Sequence, residues 1–295
     1  MTYAAIEAGG TKFVCSVGDA QGGLLDQVTF PTTVPGETLG RVIHFLQGHA
    51  GDLAAIGIGS FGPIDTCPQS PSYGYITSTP KPNWQSVNFL GQLKAHFQLP
   101  IAWTTDVNAA AYGEYSLGAG RQVRSLVYYT IGTGIGGGAI QAGRFIGGLS
   151  HPEMGHMRVQ VHPDDAFPGH CPFHQTCLEG LAAGPAIAAR MGRPASDLPA
   201  DDPFWDIEAY YLAQALVNTS LILAPEMIIL GGGVMKQGHL LDRVRAQFES
   251  LTAGYIKTPT PEDYIQGPAL QDNAATIGCF ALAREAAQGH FPAKD

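Results

Sequence analysis

A chain of 295 residues has room for two domains at about 100–200 residues each, and 45% hydrophobic against 14% charged residues gives it core material and argues against disorder. The net charge of -9 repels phosphate backbones and argues against general nucleic-acid binding. The apolar stretch 221–230 is broken by Pro225 and Glu226, too short and polar to span a bilayer, so no membrane partner is expected.

Along the chain, residues 3–8 form an apolar run that ends in Gly9-Gly10 and resumes at 13–17, which predicts a strand, a glycine turn and a second strand. A third strand is expected at 24–30. Leu39, Val42, Ile43 and Leu46 stand at helical spacing within 36–49. Residues 53–59 predict a buried strand, 66–83 an exposed loop rich in Pro, Ser and Thr, 87–97 a helix, 101–105 a strand and 108–117 an alanine-rich helix. The strand–glycine turn–strand unit then recurs, with strands at 125–131 and 135–140 around Gly132-Thr133-Gly134. The two occurrences, 6–17 and 128–140, predict an internal duplication with one copy per lobe. Beyond them come an irregular Cys/His loop at 169–176, a helix at 178–191, and a long helix to about 223 with Asp202 as its cap and Pro203 at its first position. A strand at 226–230, the run Gly231-Gly232-Gly233, a helix from about 238 and a last helix at 274–287 follow. Alternating strands and helices imply an α/β fold.

Three glycine turns follow strands: Gly9-Gly10-Thr11-Lys12, Gly132-Thr133-Gly134 and Gly231-Gly232-Gly233. Glycine lets backbone N–H groups converge on phosphate oxygens without Cβ clashes. A threonine hydroxyl adds a donor, and Lys12 can supply a positive charge. A single turn of this kind also suits an ordinary hairpin; three together point to a nucleotide. No GxxxxGK[ST] occurs, which excludes a P-loop, and no His-Arg-Asp or Asp-Phe-Gly, which excludes a protein kinase. The glycines of 132–138 imitate a dinucleotide fingerprint, but a strand is expected after them where that motif needs a helix, which argues against an NAD-binding oxidoreductase.

Two further constellations carry chemistry. Asp106 stands between a predicted strand and a predicted helix, where a carboxylate can either cap the helix or serve as the base that accepts a hydroxyl proton during phosphoryl transfer. His156, Cys171, His174 and Cys177 supply a Cys₂His₂ set, three of them in a Cys-x₂-His-x₂-Cys loop, which suits a closed structural zinc site. A Cys171–Cys177 disulfide or two plain buried thiols are the alternatives. His162 and His170 lie near, but the spacing favours His174. Cys15, Cys67 and Cys279 read as buried thiols. No basic leader precedes the apolar start, and a cytoplasmic compartment is expected.

The motifs at 8–12, 105–114, 130–138, 153–156, 171–179 and 230–234 resemble, in order and spacing over nearly the whole chain, those of the ROK family (repressors, open reading frames, sugar kinases), and most of all its bacterial fructokinase branch. The resemblance implies a duplicated actin/hexokinase-like (ribonuclease H-like) fold, with an N-terminal lobe over 1–116 and a C-terminal lobe over 117–295. The last helix is expected to pack back on the first lobe, and the zinc loop spans about 156–177. It further implies ATP in the cleft between lobes, with Gly9, Gly10, Thr11, Lys12, Gly132, Thr133 and Gly134 at the phosphates. Gly231, Gly232, Gly233, Val234 and Met235, with Pro185, would surround the adenosine. Asp106 matches the general base, and Glu153, His156 and Glu179 match sugar contacts. Glu179 is also well placed as an acidic helix start.

The reaction implied is transfer of the γ-phosphate of ATP, with Mg²⁺, to O6 of a hexose, fructose foremost and glucose or mannose as rivals. The zinc would fix the sugar loop. Thr105 replaces the Asn that precedes this Asp in many ROK glucokinases, which weakens a glucose assignment. A Cys-Pro-x-His form at 171–174 replaces the family's frequent CxCGxxGC pattern. The ribokinase-like GAGD motif is missing. A sugar-responsive repressor is the rival of another class, and with the first phosphate motif at Gly9 no helix-turn-helix domain is expected ahead of it. A homodimer is implied. Asn83 and Trp84 fit either a sugar contact or a loop anchor.

Overall fold

A computed structural model describes residues 1–19 and 23–291. Its strands in chain order are β1 (Thr2–Ala8), β2 (Lys12–Gly18), β3 (Leu24–Pro31), β4 (Leu53–Ser60), β5 (Tyr75–Ile76), β6 (Val87–Asn88), β7 (Ile101–Thr105), β8 (Ser125–Ile131), β9 (Ile135–Gln141), β10 (Arg144–Phe145), β11 (Met227–Gly231) and β12 (Ile265–Gln266). Its helices are α1 (Pro35–Gln47), α2 (Phe89–His96), α3 (Asp106–Leu117), α4 (Leu178–Ala182), α5 (Gly184–Met191), α6 (Phe204–Leu223), α7 (Leu240–Thr252), α8 (Pro261–Tyr264) and α9 (Ala274–Ala287). The α/β class expected from the alternation is the one observed. The chain divides into two compact units: Met1–Arg121 with Arg144–Pro152 and the chain from Asp272, and Gln122–Gly143 with Glu153–Gln271.

In the first unit the sheet order is β3-β2-β1-β4-β7. β1 pairs antiparallel with β2 across the glycine turn, and parallel with β4, which in turn pairs parallel with β7. The period of two along a strand sends alternate residues of β1 to opposite faces. Ala4, Ile6 and Ala8 join one core with Phe13, Leu39, Val42, Leu46, Trp84, Phe89 and Trp103. Tyr3 and Ala5 join another with Ala109, Cys279, Phe280 and Leu282. So α1 and α2 cover one face, and α3 and α9 the other. The α3–α9 contact is tight at Gly278, where a Cβ would stand 1.7 Å from the Ala109 carbonyl oxygen.

The second unit repeats the plan. β8 pairs antiparallel with β9 across Gly132-Thr133-Gly134 and parallel with β11, and β11 pairs parallel with β12. β1, β2, β4 and β7 therefore correspond to β8, β9, β11 and β12 in order and direction, the pattern that a duplication produces.

Local departures from the expected elements have identifiable causes. The helix expected at 178–191 is two helices, because the Gly184 N–H donates to the Gly132 carbonyl at 2.7 Å and Pro185 has no N–H to give. Asn88 caps α2, so the helix starts two residues later than expected, and Val87–Asn88 pairs with Tyr75–Ile76 instead. The loop expected to be exposed at 66–83 thus holds a short strand, and Ile76 and Thr79 in it are buried. The long helix begins at Phe204, one residue later than expected, with Pro203 and not Asp202 in the capping position; the Asp202 carboxylate, one residue further back, still accepts the Phe204 N–H at 3.0 Å.

Candidate functional site

Register brings the first unit's candidates to one edge. Ala8 pairs with Ser60, and Ser60 with Thr105, so β1, β4 and β7 end level and their following loops emerge together. Ligand loops in α/β sheets occupy this carboxyl edge. The Gly9 N–H donates to the Lys12 carbonyl at 3.0 Å and closes the turn, while the Thr32 hydroxyl donates to the Gly9 carbonyl at 2.7 Å. Thr11 and Lys12 are exposed, and Gly10 partly so. Asp106 opens α3 at the same edge, partly buried, its carboxylate accepting the Val107 N–H at 2.9 Å. The capping bond belongs to Thr105, whose hydroxyl accepts the Asn108 N–H at 3.1 Å.

Sequence reasoning missed Glu7. It sits in β1 two residues before Gly9, and its carboxylate accepts the Thr276 hydroxyl from α9 at 2.9 Å. Burial pushes its pKa up, with Thr276 and the Lys12 charge acting against that. The buried Cys279 thiol lies between the two segments: it donates to the Ile6 carbonyl, next to Glu7, at 3.5 Å, and a Cβ on Gly59 would stand 3.2 Å from both its sulfur and the Asp106 Cα. The available signal was an acidic residue in an otherwise apolar strand.

In the second unit, Thr130 pairs with Gly231, so β8 and β11 also end level, and their glycine turns emerge together. Gly132 lies so near that a Cβ on it would stand 3.8 Å from the Gly233 amide nitrogen. The Gly184–Gly132 hydrogen bond puts Pro185 beside the same turn, and Gly184 lies within 3.9 Å of Val234 by the same measure. Val234 is buried and Met235 partly so in a short 3₁₀ turn. The structure therefore brings Gly132, Thr133, Gly134, Pro185 and Gly231–Met235 together.

The four expected metal ligands also converge. The donor atoms of His156, Cys171, His174 and Cys177 all lie within 4.8 Å of one another. His156 Nδ1 is 3.8 Å from Cys171 Sγ and 3.6 Å from Cys177 Sγ, and His174 Nδ1 is 3.8 Å from Cys171 Sγ. A zinc tetrahedron with Zn–S near 2.3 Å and Zn–N near 2.0–2.1 Å has S···N edges of about 3.6 Å, so the set fits that ion. The cysteines are free thiols, and burial pushes Cys177 up to about 11, a cost that a bound cation would relieve. His162 is engaged elsewhere: its N–H donates to the Tyr211 hydroxyl, and its Nδ1 accepts the Asp164 N–H.

The cluster is held from both sides. The turn that carries His174 is closed by mutual hydrogen bonds between the Cys171 and Gln175 backbones. Between His156 and Cys171 the chain is anchored by Asp165, which accepts from Arg190 at 2.9 Å and from the Tyr211 hydroxyl at 2.6 Å. Burial acts to raise the Asp165 pKa, but those donors and the Phe167 N–H outweigh it and hold the carboxyl low. Glu153 is exposed, one turn before His156. Glu179 lies two residues past Cys177, with Oε2 accepting the Ile135 N–H at 2.9 Å and Oε1 3.9 Å from His156 Nε2.

Residues 3–286 match the ROK family. The chain is 52% identical to a fructokinase of Streptococcus mutans serotype c, covering 97% of this chain and 98% of that protein. It is 50% identical to a fructokinase of Lactococcus lactis subsp. cremoris, covering 95% and 96% respectively. Among solved structures it is similar to a ROK hexokinase from Thermus thermophilus, at 27% identity and a TM-score of 0.79, covering 98% of this chain and 100% of that one.

Proposed function

The chain belongs to the ROK family, and from that premise we propose that it is an ATP-dependent fructokinase, transferring the γ-phosphoryl group to O6 of D-fructose. The observation that carries this reading is identity near one half, over nearly full length, to curated fructokinases, against 27% to a glucokinase of Streptomyces coelicolor.

Phosphoryl transfer needs positioning and charge stabilisation more than covalent chemistry. Gly9–Lys12 and Gly132–Gly134 offer backbone N–H groups, the Thr11 and Thr133 hydroxyls and the Lys12 ammonium to the phosphates. Gly231–Met235 and Pro185 hold the adenosine. Asp106 accepts the proton of the attacking hydroxyl; Thr105 caps the helix, which spares the Asp106 carboxylate that task. Glu153, His156 and Glu179 face the sugar hydroxyls, for which carboxylates are good acceptors. Mg²⁺ supplies charge neutralisation at the transferring phosphate, and Glu7 is the further carboxylate on this edge that would help hold it. Zinc on His156, Cys171, His174 and Cys177 is structural, since four protein ligands leave no place for water. The protein works as a cytoplasmic homodimer, in a compartment where thiol ligands stay reduced.

Phosphorus NMR of the product formed from fructose and MgATP tests the chemistry. Fructose 6-phosphate is expected; fructose 1-phosphate would contradict the orientation of the sugar.

A further inference from the structure

Helix α4 begins on a metal ligand and ends on the glycine turn. Cys177 is the residue that precedes the helix, and Gly184, just past it, donates its N–H to the Gly132 carbonyl at 2.7 Å. Between these ends Glu179 makes a second tie. Its Oε2 accepts the N–H of Ile135, the first residue after Gly134, at 2.9 Å. The approach is so close that a Cβ on Gly134 would stand 2.7 Å from Oε2. Its other oxygen lies 3.9 Å from His156 Nε2, the ring nitrogen opposite the Nδ1 that faces the two cysteine sulfurs. At that distance, past hydrogen-bond reach, the carboxylate acts on the ring by its charge, and the groups behind a metal-ligating histidine tune its affinity for the ion.

The opposite wall is just as tight. Gly155, the residue before His156, leaves no room for a Cβ, which would fall 1.7 Å from the Ile135 carbonyl oxygen. Both neighbours of the metal cluster, 153–156 and α4, therefore bear on Ile135 at the exit of the turn.

We propose that Glu179 is a positioning residue that joins the metal cluster to the Gly132-Thr133-Gly134 turn, so that metal occupancy sets nucleotide affinity and not sugar binding alone. This rests on the reading that the turn holds ATP phosphates. With metal bound, His156 is fixed, and the Glu179 carboxylate beside it keeps one oxygen on the Ile135 amide and the other free for the sugar, so the exit of the turn is clamped. Without it, His156 and the 171–177 loop are released, and Ile135 loses a charged acceptor.

Titration calorimetry with a non-hydrolysable ATP analogue, in the absence of sugar, tests this on the zinc-loaded full chain. Glu179→Ala is expected to weaken the analogue about tenfold, the scale of one hydrogen bond to a charged group. Glu179→Gln keeps an acceptor for Ile135 but loses the charge beside His156. At saturating zinc it is expected to bind the analogue within about threefold of wild type, while zinc competition shows metal affinity down by about tenfold or more. Chelated wild type is expected to bind the analogue about tenfold more weakly and to recover on zinc addition. Unchanged analogue affinity in chelated wild type or in folded Glu179→Ala would overturn the proposal. If Glu179→Ala fails to fold, Glu179→Gln and the chelated protein decide it. A separate arm, Thr133→Asp, places a negative charge in the turn; unchanged affinity there would remove the phosphate reading, and the proposal with it.

Discussion

The Thr105 hydroxyl accepts the Asn108 N–H at 3.1 Å, so the start of α3 is capped by Thr105 and not by its neighbour Asp106. Two adjacent residues that look interchangeable as caps thus carry separate duties, one for the helix and one for the chemistry.

That division predicts opposite phenotypes. Thr105→Ala should cost about 1 kcal/mol of stability through the lost cap. Asp106→Asn should lower kcat by about 10²–10⁴-fold, the range of general-base catalysis, with the fold intact and at most about 1 kcal/mol lost with the first-turn charge beside the Val107 N–H. Denaturation and steady-state kinetics on both variants check this. Activity of Asp106→Asn within tenfold of wild type would exclude it as the base.

The metal cluster predicts one zinc per chain by elemental analysis of protein purified without chelator. Cys177→Ser should lose the ion and melt at lower temperature, because binding energy at a structural site is folding energy. Cys67→Ser, at a cysteine outside the cluster, should retain the full complement.

Glu208 on α6 predicts a pH dependence. It is fully buried, neither carboxyl oxygen has a hydrogen-bond partner among the described residues, and desolvation raises its pKa well above the usual range, with Arg190 acting against that. A raised folded pKa contributes stability that is complete below the unfolded value of about 4.3. That contribution is lost as pH rises through the folded pKa. Glu208→Gln, which cannot ionise, should therefore show a flatter fall in stability above about pH 4.3 than wild type. Chemical denaturation across pH 4–9 reads the slope, and parallel curves would contradict the assignment.

Trp84 predicts a stability effect. Its indole is fully buried, packs tilted against Phe13 and edge-to-face against Phe61, and donates its N–H to the Thr33 carbonyl at 2.8 Å. It anchors the long segment between β4 and α2. Trp84→Ala should cost about 3–5 kcal/mol. Loss of fructose affinity at full stability would instead make it a sugar contact.

The sequence made the two strand–turn–strand units legible because glycine turns punctuate apolar runs sharply. It also made the Cys₂His₂ set legible, since donor type and spacing narrow the chemistry before any fold is known. Elements decided by tertiary bonds were not legible. The break at Ala183 depends on the Gly184 N–H finding Gly132 some 50 residues earlier in the chain. β12 has only two residues and exists through its pairing with β11. Glu7 was hidden because its meaning comes from Thr276, which follows it by 269 residues. That Thr105 is the cap was not legible either, since Asp106 beside it is a capping residue type too.

The most direct test of the central claim is ATP-dependent phosphorylation of fructose, glucose and mannose measured in parallel with Mg²⁺, before and after zinc chelation. A clear preference for fructose in kcat/KM, lost on chelation and restored by zinc, is the predicted result. Turnover of none of the three sugars, or a preference for glucose, would contradict it.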